Sequence, residues 1–439
     1  MKKQKIDFLI TYEHKARELD AIVLLKQELE KRGYSVLIHS SYENDVYKFP
    51  CMANIRPKCV IVPAAYNYEV VEYFSFALVG FVNKIINLQW EQVLSVEEEA
   101  DLNAYHNPKG FAQNVVHLCW GKTPQKRLIL SGVPESNCIV TGPGHMDILR
   151  FPYNKKILNK ENLSKKFSLE LHKKWILFIS SFALNDLTGQ IKEYNRNAMG
   201  AEYFDNFYNF SVKSRTEILK WFDNYLSEHN DSIIIYRPHP DEVNKNNELK
   251  VLEQKYDNFK VISDLVITHW INSSDIILNW YSTSKAYVVL QNKFEYVLRP
   301  IPIERKYEVS IMDGDTFVTS YYDFVEVVTN DNRDKYPMRD ISDYYDFDIH
   351  VPTYKRIADV CEETFNSNKY NLNIPVTYRI KYILRVYKNF IFLLLKKIAP
   401  DITFIKKVIE IREKAALFIS EGYERNVASV DDIKKILDI

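Results

Sequence analysis

The sequence predicts an α/β protein of GT-B type, with two Rossmann-like domains facing a central cleft and a helical tail after them. Three observations carry that expectation. Apolar strand-like runs alternate with helical periodicities, which is the pattern of a parallel sheet. The alternation occurs twice, over two stretches of similar length. The chain has 439 residues, too many for one ordinary core and suited to two domains of roughly 150–200 residues. The expected boundaries are 1–165, 166–345 and a tail over 346–439.

IDFLIT (6–11) reads as the first strand. The residues before it are basic, but the apolar run contains Asp7 and no small-residue cleavage site follows, so a strand is expected rather than a secretory signal. In RELDAIVLLKQELEKRG (17–33), Leu19, Ile22, Val23, Leu25 and Leu29 recur with a helical period, and Gly33 closes the segment. YSVLIH (34–39), PKCVIVPAA (57–65) and KIINLQWEQ (84–92) read as further strands, followed by VVHLCWG and NCIVTG.

The second series opens with KKWILFISSF (173–182). An amphipathic helix is expected over 214–229, with Ser214 as N-cap and Glu217 three residues later in capping-box spacing. SIIIYRPHP (232–240) is a strand that ends abruptly, because Pro238 and Pro240 block regular pairing. FKVIS (259–263), SDIILNWYSTS (274–284) and AYVVLQNKFEYVLRP (286–300) complete the domain. The tail segment 379–397 carries six Lys/Arg and no acid. It reads as an amphipathic helix packed on the body or, alternatively, lying on anionic lipid.

Composition narrows the function classes. Basic and acidic residues balance at 58 each, which disfavours a general nucleic-acid binder. The five cysteines (Cys51, Cys59, Cys119, Cys138, Cys361) form no CxxC pair, so buried free thiols are expected rather than disulfides or zinc. No run of about 18 uncharged apolar residues is present, so no membrane-spanning helix is expected. There is no GxxxxGK[ST], and no GxGxxG follows the first strand, which disfavours P-loop NTPases and dinucleotide dehydrogenases.

Ligands of doubly wound sheets bind beyond the carboxyl ends of the strands, which directs attention to the polar residues there. After the first strand come Glu13, His14 and Arg17, a carboxylate beside a histidine suited to general-base work or, more plainly, to a capped turn. Glu91 and Gln92 stand at the end of another strand and would bind an acceptor hydroxyl or form a surface loop. TGPGHMD brings Gly144 beside His145, where glycine allows close backbone approach. Ser181 stands at the end of the strand over 173–182 and Asp186 follows it, with Asp186 a nucleophile or an Asx-turn residue. Arg237 and His239 are both suited to phosphate, and Tyr281, Ser282, Thr283 and Ser284 lead into a helix start that would bind another anion or simply cap itself.

The motifs DFLITYEHKARELDAIVLLKQELEKRGYSV, LQWEQ, LFISSFALNDL, IYRPHPDE, DIILNWYSTS and LRP resemble the bacterial surface-carbohydrate (capsule and lipopolysaccharide) biosynthesis proteins, over about residues 5–345. That family is similar to retaining transferases of Kdo or pseudaminic acid from CMP donors. The resemblance implies an acceptor-side first domain and a nucleotide-sugar second domain. His239 and Ser282–Thr283 would contact the nucleotide phosphate, Asp186 would attack the anomeric carbon, and Glu13 and Glu91 would serve the acceptor side. It implies a CMP-activated acidic sugar and a glycan or lipid-linked glycan acceptor as partners. No nucleic acid is expected. With a single donor phosphate to hold, no metal or other cofactor is expected. Such an enzyme would be cytoplasmic, with peripheral membrane contact through residues 379–397. The alternatives are a transferase using another nucleotide donor (an NDP-sugar or a CDP-polyol) and a non-catalytic nucleotide-binding scaffold.

Overall fold

A computed structural model describes residues 3–43, 50–150, 152–239, 242, 247–330, 332–348, 350–398, 403, 406–407 and 426–437. The chain divides into two compact units. The first comprises Met1–Gln92, Asp101–Pro152 and Ser342–Ile439, and the second Val93–Ala100 and Tyr153–Ile341.

The sheet of the first unit contains β1 (Gln4–Tyr12), β2 (Val36–Ser40), β3 (Ile55–Val62), β4 (Ile85–Asn87), β5 (Val116–Cys119) and β6 (Cys138–Val140). All pairs are parallel, in the order β2-β1-β3-β4-β5-β6. Phe8, Leu9 and Ile10 of β1 and Val60, Ile61 and Val62 of β3 are fully buried. Strands covered on both faces read as continuous apolar runs, and this is why the sequence displays them. The run over 84–92 yields only the short β4. Beyond Asn87 the chain turns: the Asn87 Oδ1 accepts the Gln89 N–H at 3.0 Å, and Gln89 takes a left-handed φ of 45°.

The second unit has β7 (Lys174–Ile179), β8 (Ser232–Arg237), β9 (Phe259–Val261), β10 (Ile276–Asn279), β11 (Tyr296–Leu298) and β12 (Phe317–Val318), again all parallel, in the order β12-β11-β10-β7-β8-β9. Side chains alternate between two cores, as a period of two requires. Ile176, Phe178, Ile234 and Tyr236 enter the core that includes Phe222 and Trp280. Trp175, Leu177, Ile233 and Ile235 enter the opposite one, with Trp270.

The helix expected over 214–229 runs instead over Ala201–Glu228. Phe204, Phe207 and Phe210 continue its buried face upstream, so burial overrides the local capping signal. Ser214 therefore lies inside the helix, fully buried, and does not cap it.

The segment after Ile341 belongs to the first unit. Asp346 N donates to Trp120 O at 2.7 Å. The Asp147 carboxylate accepts the backbone N–H groups of Thr353 (2.9 Å) and Tyr354 (2.7 Å), at the start of the helix Thr353–Asn366. Arg32 pairs with Asp359 and Glu362 of that helix. In the following helix, Val376–Ile398, Tyr378 stacks on Tyr68 with ring centres 4.0 Å apart. Among the described residues no helix is long and apolar enough to cross a membrane.

Candidate functional site

Each sheet has one place where strand order reverses, and in open α/β sheets ligands bind outside the carboxyl ends of the strands there. In the first unit this is between β1 and β3, and in the second between β7 and β10. The second sheet, counted from its own first strand, has the 3-2-1-4-5-6 order of dinucleotide-binding domains.

In the first unit a connected charge cluster sits at these strand ends. Arg17 gives Glu18 a bond at 2.8 Å through Nη2 and gives Glu91 one at 3.2 Å through Nη1. The other Glu91 oxygen lies 3.2 Å from both Tyr66 Oη and His106 Nε2. Glu18 is fully buried and accepts the Glu13 N–H at 2.9 Å, which fixes the turn after β1. His14 Nε2 stands 3.9 Å from the Glu13 carboxylate.

The two carboxylates at this site are tuned in opposite directions. The His106 hydrogen bond, helped by the Arg17 charge, holds Glu91 down to about 2. Burial pushes Glu13 up, with Glu18 and Glu91 adding to the push while His14 and Arg17 oppose it. Glu13 is still 40% exposed, so water tempers its shift.

The other first-unit expectations land differently. His145 is held between the Trp90 and Trp120 rings, with centres 5.7 and 4.7 Å away. Burial and the Arg17 charge depress it to about 3, so it is a neutral imidazole. Gln92 is buried and used by the fold, donating to Leu118 O at 2.8 Å and accepting the Trp120 N–H at 2.8 Å. A side chain at Gly144 would stand 3.2 Å from Ile357, and one at Gly142 would stand 2.4 Å from the Asp346 carbonyl. What approaches these glycines closely is the chain's own C-terminal segment.

In the second unit, Ser181, His239 and the turn 280–284 follow β7, β8 and β10. Ser181, His239 and Ser282 are half-buried and Thr283 is exposed. The Asn279 side chain closes the turn, accepting the Ser282 N–H at 2.8 Å and donating to the Ser282 carbonyl at 2.9 Å. Ser284 N donates to Ser282 Oγ at 3.2 Å. Tyr281 donates its hydroxyl to the Tyr307 carbonyl, and burial keeps that phenol protonated.

Arg237 is turned into its own unit. Its guanidinium donates to the carbonyls of Ile262 (2.9 Å), Asp264 (2.7 Å) and Leu265. Burial pulls its pKa down to about 10. Three bonds to carbonyls make it the clamp of the 262–265 loop, where the sequence suggested a phosphate ligand. Pro240 lies outside the described residues. Asp186 sits in a short turn past β7 and accepts Arg215 Nη1 at 2.9 Å, tying it to the helix Ala201–Glu228.

Sequence reasoning passes over four residues that build these sites. Tyr66 and His106 come from loops with no pattern of their own. Asn279 reads as the end of an apolar strand. Glu242, in the RPHPDE stretch, is buried, and its carboxylate accepts Ser180 Oγ, Tyr236 Oη and the His239 N–H. An acid three residues past a strand-end histidine is the one signal that could have found it. Among the described residues no cluster of His, Cys, Asp and Glu is arranged to hold a metal ion.

No known family model matches the sequence, and no curated protein matches it. Solved structures do share its fold. The UDP-GlcNAc 2-epimerase of Neisseria meningitidis, bound to UDP-GlcNAc, superposes with a TM-score of 0.51 at 13% identity, covering 82% of this chain and 100% of that one. MnaA of S. aureus, solved with UDP, gives 0.50 at 13% identity, covering 82% and 97%. The putative UDP-N-acetylglucosamine 2-epimerase of Listeria monocytogenes gives 0.50 at 12%, covering 85% and 100%. Identities this low speak for the fold, and they bear out the GT-B-like class expected from the sequence. They overturn the CMP-donor reading. The partners seen in these structures are UDP and UDP-GlcNAc, not CMP-activated Kdo or pseudaminic acid, and the Neisseria protein is an epimerase rather than a transferase of those sugars. Of the sequence resemblance, the coarse part remains: a GT-B-like fold, shared with these UDP- and UDP-GlcNAc-bound structures.

Proposed function

We propose that this chain is an enzyme that acts on a UDP-sugar. The second unit takes the nucleotide, and the first carries a charge cluster of its own suited to proton transfer. The observation that supports this most directly is the polar set at the switch point of the second sheet. Ser181, Ser282 and Thr283 follow β7 and β10 there, with His239 just past the end of the neighbouring β8. A diphosphate needs several donors in one place, and hydroxyls with an imidazole meet that need. The fold shared with UDP-binding enzymes supports uridine as the nucleoside.

Glu13 and Glu91 complete the reading. Two carboxylates whose environments drive them apart divide acid–base roles between them. Glu91, held ionised, orients Arg17, Tyr66 and His106. Glu13, pushed upward, is the group that exchanges a proton with the substrate.

Calorimetry with UDP, UDP-GlcNAc and CMP tests the nucleotide. UDP and UDP-GlcNAc should bind, and His239→Ala should weaken both by roughly tenfold or more, as loss of a charge-assisted hydrogen bond does. Proton NMR of UDP-GlcNAc incubations then reads epimerisation and UDP release together. Absence of UDP binding, or preference for CMP, would overturn the proposal.

A further inference from the structure

The helix Val376–Ile398 has two apolar faces, and only one of them is packed. Tyr378, Tyr382 and Val386 pack against the core containing Tyr68, Phe76 and Phe111, and Phe392 continues that buried side. On the opposite side Ile380, Leu384, Tyr387, Ile391, Leu394 and Ile398 recur at three- and four-residue spacing, so they form one stripe. All are exposed, Leu384 by 63% and Tyr387 by 62%. Soluble proteins rarely leave a contiguous apolar strip of this length facing water.

Charge selects what covers the stripe. The helix carries six basic residues and no acid. Arg385 is engaged by Glu72, and Arg379 reaches back to the Ile374 carbonyl at 3.2 Å. Lys381 and Lys388, two helical turns apart, border the stripe on one side, and Lys397 borders it on the other. Two copies packed stripe to stripe would bring these like charges together, which opposes self-association. A negatively charged bilayer instead accepts the apolar residues among its acyl chains and the lysines among its headgroups. The basic residues run the length of the helix and no span is formed, so the helix would lie in the interface plane.

We infer that the outer face of Val376–Ile398 docks the first unit on an anionic lipid surface. The inference does not depend on which nucleotide sugar the enzyme uses.

Co-sedimentation of the full chain with phosphatidylglycerol–phosphatidylcholine vesicles tests it, with pure phosphatidylcholine as the comparison. Binding should require the anionic lipid and fall with added salt. Lys381→Gln with Lys388→Gln should lower partitioning about thirtyfold, the effect of removing two interfacial basic residues. Leu384→Glu with Ile391→Glu should abolish it. Both pairs change exposed side chains, so UDP calorimetry and near-UV circular dichroism should match wild type and report intact folding. Equal binding to both vesicle types, or none at low salt, overturns the inference. So does a wild-type dimer in sedimentation velocity that Leu384→Glu with Ile391→Glu converts to monomer, which would make a second copy the occupant.

Discussion

His239 and Glu242 bond each other twice. The His239 N–H donates to the Glu242 carboxylate at 3.2 Å, and the Glu242 N–H donates back to the His239 carbonyl at 2.9 Å. The same carboxylate accepts Ser180 and Tyr236 from β7's end and β8. A buried acid thus holds the loop that presents His239. Glu242→Ala would take the acceptor from Ser180 Oγ and the His239 N–H, each at a cost of roughly 1–3 kcal/mol, while Tyr236 keeps Ser180 Oγ at 2.9 Å. We expect a loss of about 3–5 kcal/mol in urea denaturation and weaker UDP binding. Glu242→Gln keeps the shape and should lose less of both. UDP affinity unchanged in Glu242→Ala would remove the positioning role.

Glu295 is buried and accepts Asn279 Nδ2, from the residue that closes the 280–284 turn, at 3.1 Å. Burial pushes it up to about 8, against the pull of Lys285. A carboxyl raised in the folded state favours folding fully below its unfolded value. That contribution is lost as pH rises from about 4.5 toward 8. Glu295→Gln removes the titration. The variant should therefore gain on wild type by a few kcal/mol, roughly, between pH 5 and pH 8. Denaturation at the two pH values measures this, and a constant difference would show that Glu295 does not titrate there.

The sequence displays the two sheets because their central strands are covered on both faces, so runs such as Ile233–Ile234–Ile235 stand out. It also displays which strand ends carry polar residues. It does not display where those residues point. Arg237 meets carbonyls of a loop some 25 residues onward, and nothing near Arg237 encodes that meeting. Glu91 is recognisable after a strand, but its partners Tyr66 and His106 arrive from loops whose placement is set by tertiary packing. Ser214 shows the reverse case, a good local cap overridden by the aromatic face that precedes it.

The C-terminal segment meets the rest of the first unit at three close glycine contacts, Gly121, Gly142 and Gly144. Gly142 has φ of 90°, and a Cβ there would stand 2.4 Å from the Asp346 carbonyl. Gly142→Ala combines left-handed strain with a backbone clash, and about 2–4 kcal/mol of destabilisation follows. Because the clash is with the returning segment, limited proteolysis should cut near residues 342–352 first. Gly33 also has a positive φ, but its Cβ would meet nothing within 4 Å. Gly33→Ala should therefore cost only the backbone strain, about 1 kcal/mol, without the change in cleavage. Equal proteolysis in the two variants would mean that the Asp346 contact is not what anchors the segment.

Glu91 and Glu13 are linked through charge. The ionised Glu91 raises Glu13, while Arg17 lowers it. Glu91→Gln removes the negative charge and releases Arg17 from its 3.2 Å bond to that carboxylate. Both changes favour the ionised form of Glu13, so its pKa should fall toward the ordinary carboxylate range. In a pH–rate profile of UDP-sugar turnover, the acidic limb should move to lower pH. Carbon-13 NMR titration of the labelled Glu13 carboxyl reads the same shift without relying on turnover. The maximal rate should also drop by about tenfold to a hundredfold, because Tyr66 and His106 lose the carboxylate that orients them. A Glu13 titration identical in Glu91→Gln and wild type would show that the two carboxylates act independently, and would leave burial as what raises Glu13.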